Sequence, residues 1–250
     1  MGISKVFKEK EAVMDEQVLS DAHAMLAQAY IKESYADSAT TVLKKAIVYT
    51  KDHEKEARYR FILGQLYEKL NQPDSAFAAF QQVIDMKRKS PRIYVIQAHS
   101  RQAAQFDYKS GDTLVFMEKY RKLLKDRENR PYLDALNYQV AVFYDKQTIN
   151  DKATVYYNKS LRAKPKDKYL SATDYKSIGE ISFEEARYVA ASKYYDSTMV
   201  YLDPRGREFK AVKKKRDNLA DVIKYETIAQ ANDSILHVVS LSESGRVSYY

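Results

Sequence analysis

The sequence predicts an all-α fold of stacked helical hairpins, on three observations. Turn formers are scarce: six Gly and five Pro in 250 residues are too few for the many tight turns of an all-β chain. Apolar residues recur at three- and four-residue steps, the period of an amphipathic helix, in one stretch after another. Small residues stand at Ala27, Gly64, Ala141 and Gly179, at intervals of 37, 77 and 38 residues. The middle interval therefore holds two periods.

The clearest repeat runs from Ala57 to Met86. Leu63, Leu66, Tyr67 and Leu70 mark one helix, and Ala76, Phe77, Phe80, Val83 and Ile84 mark a second. Asn71-Gln72-Pro73-Asp74 separates them, a turn-forming sequence. Gly64 inside the first helix costs about 1 kcal/mol relative to Ala, which predicts close approach of the second helix, where Ala76 and Ala79 supply small surfaces. The order Leu63, Gly64, Tyr67, Ala76, Phe80 resembles the tetratricopeptide repeat, with Arg60 where that pattern usually has Trp.

The same spacing recurs along the chain. Upstream, Leu26, Ala27, Tyr30, Ala39 and Leu43 fill the corresponding places around a polar break at Glu33 to Asp37. Downstream they are Val140, Ala141, Tyr144, Ala153 and Tyr157, followed by Pro165. A further copy has Ile178, Gly179, Ala191 and Tyr195, followed by Pro204, with Phe183 near the Tyr place. Between them, Pro91 to Asp126 is a degenerate repeat with helices from about Pro91 to Asp107 and from Asp112, whose internal register the spacing does not define. The expectation is a right-handed α-solenoid of tetratricopeptide-type hairpins over residues 1–204, in repeats 13–51, 52–90, 91–130, 131–166 and 167–204. Pro91, Pro131, Pro165 and Pro204 fall at or beside the junctions.

Residues 205–250 are expected to cap the array. Glu208 to Ala231 reads as one charged helix with Phe209, Val212, Leu219, Val222, Ile223 and Ile228 on the side that covers the last repeat. Asn232-Asp233-Ser234 breaks or continues it, and the tail from Ser240 is expected to fray. Residues before about Val13 read as a linker or the remnant of an earlier helix. With no obvious polar N-terminal cap, the chain is expected to be a piece of a longer protein.

The sequence offers little for catalysis. Without cysteine there is no disulfide, thiolate nucleophile or Cys-ligated metal. No run is long and apolar enough to span a membrane, and Met1 to Lys10 lacks the apolar core of a signal peptide. His23, His53, His99 and His237 lie in different repeats with no ligand-pair spacing, and are expected on the surface or in a groove. Phosphate-binding glycine loops and a nucleophile elbow are missing. Glu184-Glu185 is expected to be solvated. No enzyme, cofactor or metal is expected. Tyr156-Tyr157 and Tyr194-Tyr195 fall in second helices and are expected to pack the core. The net charge is +8, but 42 Lys and Arg are mixed with 34 Asp and Glu rather than gathered with exposed aromatics, so nucleic acid is not an expected partner. Lys87-Arg88-Lys89 and Lys213-Lys214-Lys215-Arg216 are the densest basic runs, expected as solvated helix ends or faces in preference to a site for an acidic partner.

In tetratricopeptide superhelices the first helix of each repeat lines the concave side. The resemblance thus implies a partner-binding groove formed by Ala24, Gln28 and Lys32; Arg58, Phe61, Gln65 and Lys69; Tyr138, Val142 and Lys146; and Lys176 and Glu180. Chaperone-binding members carry Lys and Asn at such places. Ala24 and Gln28 do not match, so a groove for a folded partner or an extended segment with aromatic contacts is expected instead.

Longer phrases carry a second resemblance: Ala57 to Tyr67, Leu124 to Asp134, Ile178 to Phe183, Ala191 to Asp203 and Asn232 to Leu236. In this order they resemble the large tetratricopeptide lipoproteins of Bacteroidetes gliding motility and type IX secretion, the SprE/PorW-like family. That resemblance implies a periplasmic, outer-membrane-associated scaffold with secretion-machinery proteins as partners, without direct membrane insertion by this segment. The expected function is a non-catalytic adaptor of that machinery, with an adaptor of another cell-envelope or signalling assembly as the alternative. A hydrolase with a helical-repeat domain would need an active site outside this sequence. No pattern sets an oligomeric state.

Overall fold

The computed structural model describes residues 15–243 and Gly245; the expectations for residues before Val13 and for most of the tail after Ser240 lie outside them. All regular structure among the described residues is helical. The chain divides after Gln139 into two compact units. The N-terminal unit holds three hairpins: α1 (Glu16–Lys32) with α2 (Ala36–Tyr49), α3 (His53–Lys69) with α4 (Pro73–Asp85), and α5 (Arg92–Ala104) with α6 (Thr113–Lys125). Helix α7 (Leu133–Asp145) spans the division. The C-terminal unit continues with α8 (Asn150–Arg162), α9 (Lys168–Glu184), α10 (Tyr188–Tyr201) and α11 (Arg207–Ser240).

Three first helices start in the same way. Asp15, Asp52 and Asp167 stand just before α1, α3 and α9, and each carboxylate accepts an N–H of the first turn, at 2.8 Å from Gln17, Glu54 and Tyr169. Each such cap contributes about 1 kcal/mol. From each Asp the small residue follows twelve positions on, at Ala27, Gly64 and Gly179.

The turns into the second helices repeat as well. Ser34, Asn71, Thr148 and Ala186 all have positive φ, between 55° and 64°. Each closes its helix by the same pair of bonds. In the last of them the N–H of Ala186 donates to Phe183 O at 3.0 Å and that of Arg187 to Ser182 O at 2.8 Å. This is the left-handed helix stop usually made by glycine, here made four times without one. Ala gains nothing from its side chain at such a φ, so Ala186→Gly is expected to stabilise the protein by about 1 kcal/mol, seen as a higher urea midpoint with unchanged slope.

Small residues and rings then fix the packing within each hairpin. A Cβ on Gly64 would lie 2.5 Å from Phe80 Cε1, and one on Gly179 2.8 Å from Tyr195 Cε1. The glycines are there because the rings touch the backbone. Ala39, Ala76, Phe80, Ala141, Ala153 and Ala191 are fully enclosed, while Tyr30, Tyr67 and Tyr144 are half-buried. Tyr157 and Tyr195 are core residues at 1% exposure, and Tyr157 also donates to Asp145 Oδ2 at 2.7 Å. In the first two hairpins the second helix also packs on the next first helix: Leu43 and Ala46 meet Tyr59 and Leu63, and Phe80 and Val83 meet Ala98.

The third hairpin has a register that spacing alone does not reveal. The small residues Ala27, Gly64 and Gly179 stand five positions before the end of their helices; in α5 that position is His99. Its main-chain carbonyl accepts a hydrogen bond from Tyr120 OH at 3.0 Å, so Tyr120 stands over His99 as Phe80 stands over Gly64. The connection from Gln105 to Asp112 is longer than the three-residue turns of its neighbours, which displaces Tyr120 from the common spacing.

Helix α11 covers the last hairpin, but over a shorter stretch than expected. Val212 and Leu219 are buried against Ala191 and Tyr195, and Ile223 packs beside them. Val222 and Ile228, expected on the covering side, are 41% and 47% exposed. The helix continues unbroken through Asn232-Asp233-Ser234, and Tyr225, Ile235, Leu236 and Val239 are exposed along its second half. The cover stops beside the start of α10, where Glu226, Thr227 and Gln230 lie near Ala186 to Ala190, and the helix continues past it.

Candidate partner-binding site

Neighbouring first helices in the N-terminal unit are tied by charged side chains. Lys55 on α3 reaches Asp21 on α1 at 2.6 Å, and Arg101 on α5 reaches Glu68 on α3 at 3.3 Å. On the predicted groove positions of this unit, Gln28, Lys32, Arg58 and Lys69 are exposed and Gln65 is half-buried. Phe61 departs from its expected place. It is only 7% exposed, its ring centroid 5.5 Å from that of Phe80 and 5.9 Å from that of Tyr94. It fills the space between second and next first helix, because the helix period turns a residue three before Gly64 toward the neighbouring hairpin. Ala24 is likewise half-buried against the first hairpin's core.

Tyr138 and Val142 are half-buried and Lys146 is exposed. In the C-terminal unit, Lys176 and Glu180 are engaged from within the chain. Lys176 Nζ lies 2.7 Å from Glu208, and Lys215 Nζ lies 2.6 and 2.7 Å from the two oxygens of Glu180. Arg216 adds a 2.7 Å contact to Asp196 on α10. The first half of α11 thus sits where a next first helix would, and it occupies the two groove positions predicted there.

The N-terminal unit contains a cleft lined by many charged side chains that the sequence pattern did not reveal. Its volume is about 1110 Å³, and it opens between the start of α3, the end of α4, the start of α5 and the turn after α6. It exists because α5 starts one turn late. Gly64 is the twelfth residue of α3, whereas His99 is the eighth of α5; a 3₁₀ turn at Lys87–Lys89 and the extended Ser90-Pro91 take the place of the missing helical turn. Proline at the cap has no N–H and cannot continue a helix backward.

The inner wall of the cleft is charge-matched. Arg60 holds Glu56 at 2.8 Å and also bonds Gln82, and Arg92 reaches Asp126 Oδ2 and Asn129 Oδ1, each at 2.6 Å. Burial alone would raise the Glu56 carboxyl, but hydrogen bonds from Arg60 and His53 outweigh it and hold the group below its ordinary range. At the back lies His99, 7% exposed, with Nδ1 enclosed and without a hydrogen-bond partner among the described residues. Burial, with the nearby charges of Lys119 and Arg92, pushes its imidazole down to about 3, so the ring is neutral at physiological pH. His23 is also buried, its ring stacked 6.0 Å from that of Tyr49. Both histidines depart from the surface or groove placement expected of them; His53 and His237 are exposed. Among the described residues no cluster of His, Asp and Glu could hold a metal ion, and no helix is long and apolar enough to cross a membrane.

A tetratricopeptide repeat family profile matches residues 57–90, the stretch containing Gly64 and Phe80. A solved structure from a study of PilF of Pseudomonas aeruginosa shares 15% identity, covers 94% of this chain and 98% of that one, and superposes with a TM-score of 0.58. A TPR2AB domain of yeast Sti1, solved as a pHSP90 complex, shares 14% identity over 87% of this chain and 88% of that one, with a TM-score of 0.31. No curated protein matches the sequence. The fold is an all-α array of tetratricopeptide-type hairpins.

Proposed function

We propose that this protein is a non-catalytic scaffold that holds other proteins through the exposed faces of its first helices and the cleft beside them. The observation that carries the reading is the run of solvent-facing side chains at Gln28, Lys32, Arg58 and Lys69, with Gln65 half-buried among them, displayed by helices whose opposite faces are locked into the core. Rigid helices that present polar side chains in register suit recognition of a polypeptide, since little side-chain or backbone order is lost on binding. The finer placement, in a type IX secretion or gliding machinery between periplasmic and outer-membrane parts, rests on the resemblance of those phrases to SprE/PorW-like lipoproteins.

Affinity capture with the chain as bait tests both levels. Recovery of secretion-ring or translocon components, reduced by Arg58→Glu with Lys69→Glu, is the expected result. Capture of a different, defined envelope or signalling complex by the same face would keep the scaffold and discard the secretion assignment. Capture insensitive to both substitutions would discard this face as the binding surface.

A further inference from the structure

We infer that the cleft at the start of α5 is a docking site for an acidic segment of a polypeptide partner, which deepens the scaffold reading and rests on it. Charge decides the class of ligand. Inside the cleft, Arg60 and Arg92 are matched by Glu56 and Asp126. The rim is not matched. Lys87 and Lys89 have no ion-pair partner among the described residues, and Arg88, whose side chain is 89% exposed, touches only Glu128, at 3.5 Å. The one rim carboxylate without a cation, Asp85, accepts instead from Gln81 Nε2 at 2.9 Å. The surplus at the mouth is positive, and positive groups lining a concave surface focus their field on an incoming anion.

Shape and the buried imidazole decide the rest. The hollow of about 1110 Å³ is wide enough for several side chains of an extended segment. A flat anionic membrane could touch Lys87 to Lys89 but not the wall behind them. That wall ends at His99, standing where other repeats have Gly or Ala, with its Nδ1 unpartnered. Enclosed polar atoms are ordinarily satisfied, and a neutral imidazole can turn an N–H toward a carboxylate. The site is lined by the turn between repeats and the starts of α3 and α5, and none of the predicted groove residues lines it.

The test is fluorescence anisotropy of a short fluorescein-labelled poly-Glu peptide titrated with the whole chain, with imidazole ¹⁵N spectra recorded in parallel. Saturable binding that weakens with salt is expected, lowered roughly tenfold or more by the Lys87→Gln/Arg88→Gln/Lys89→Gln variant. The Lys213→Gln/Lys214→Gln variant, which thins the other basic run, is expected to leave it unchanged. His99 ring signals should shift on peptide addition. Equal loss in both variants, no binding, or an unmoved His99 would overturn the inference. So would binding to phosphatidylserine vesicles but not to poly-Glu, which would assign the rim to a membrane surface. A chain that still captures its partners yet ignores poly-Glu loses only the cleft site, not the scaffold function.

Discussion

Gly64→Leu is expected to destabilise the N-terminal unit by about 3 kcal/mol, the upper end of what overpacking a close-packed core usually does. Even Gly64→Ala should be unfavourable. In an exposed helix that change gains about 1 kcal/mol, but here the new methyl would meet the Phe80 ring at 2.5 Å. The ring is fully buried, between Phe61 and Ala76 among others, so it has nowhere to swing. Phe80→Leu vacates the space, and the double variant Gly64→Ala/Phe80→Leu should be less damaged than the sum of the single changes. Urea melts of the four proteins check this; additive losses would show that the two residues are not in contact.

Acidification from neutral pH to about 4.5 is expected to weaken folding through His99 by roughly 2 to 3 kcal/mol. The folded ring resists protonation down to about 3 because it is buried and faces Lys119 and Arg92, whereas the unfolded ring takes a proton near its ordinary value of 6.5. Between those two values the unfolded chain binds the extra proton. Stability from this group is therefore complete above about pH 6.5 and is lost progressively as pH falls toward 3. In His99→Gln the slope of stability against pH should flatten across that window, while the contribution of the carboxylates stays. Parallel slopes for parent and variant would contradict a neutral buried imidazole.

Much of the fold was legible because its rule is short: a small residue on the first helix and a ring sixteen positions later, as at Gly64 and Phe80 or Gly179 and Tyr195. The third repeat escaped because a long connection separates His99 from Tyr120 and because His is not small. The breaks at Glu33 to Asp37 and Asn71 to Asp74 were legible as turns, but their left-handed conformation was not, because Ser34, Asn71, Thr148 and Ala186 are not glycine. A further signal lay in plain view, the Asp twelve residues before each of three small residues. The binding surface was less legible. Phe61 has the composition of a contact residue but the burial of a core one, and Lys176 and Glu180 looked free until α11 was laid beside them. The cleft could not be read from periodicity, since it arises from a turn of helix that is missing.

Helix contacts run mainly between neighbours in sequence: α1 with α2, α3 with α4, α4 with α5, α9 with α10, α10 with α11. Such a chain closes only short loops as it folds, and short loops close fast. A hairpin built this way makes most of its contacts within itself and with its neighbour, so little of its packing waits on distant parts of the chain.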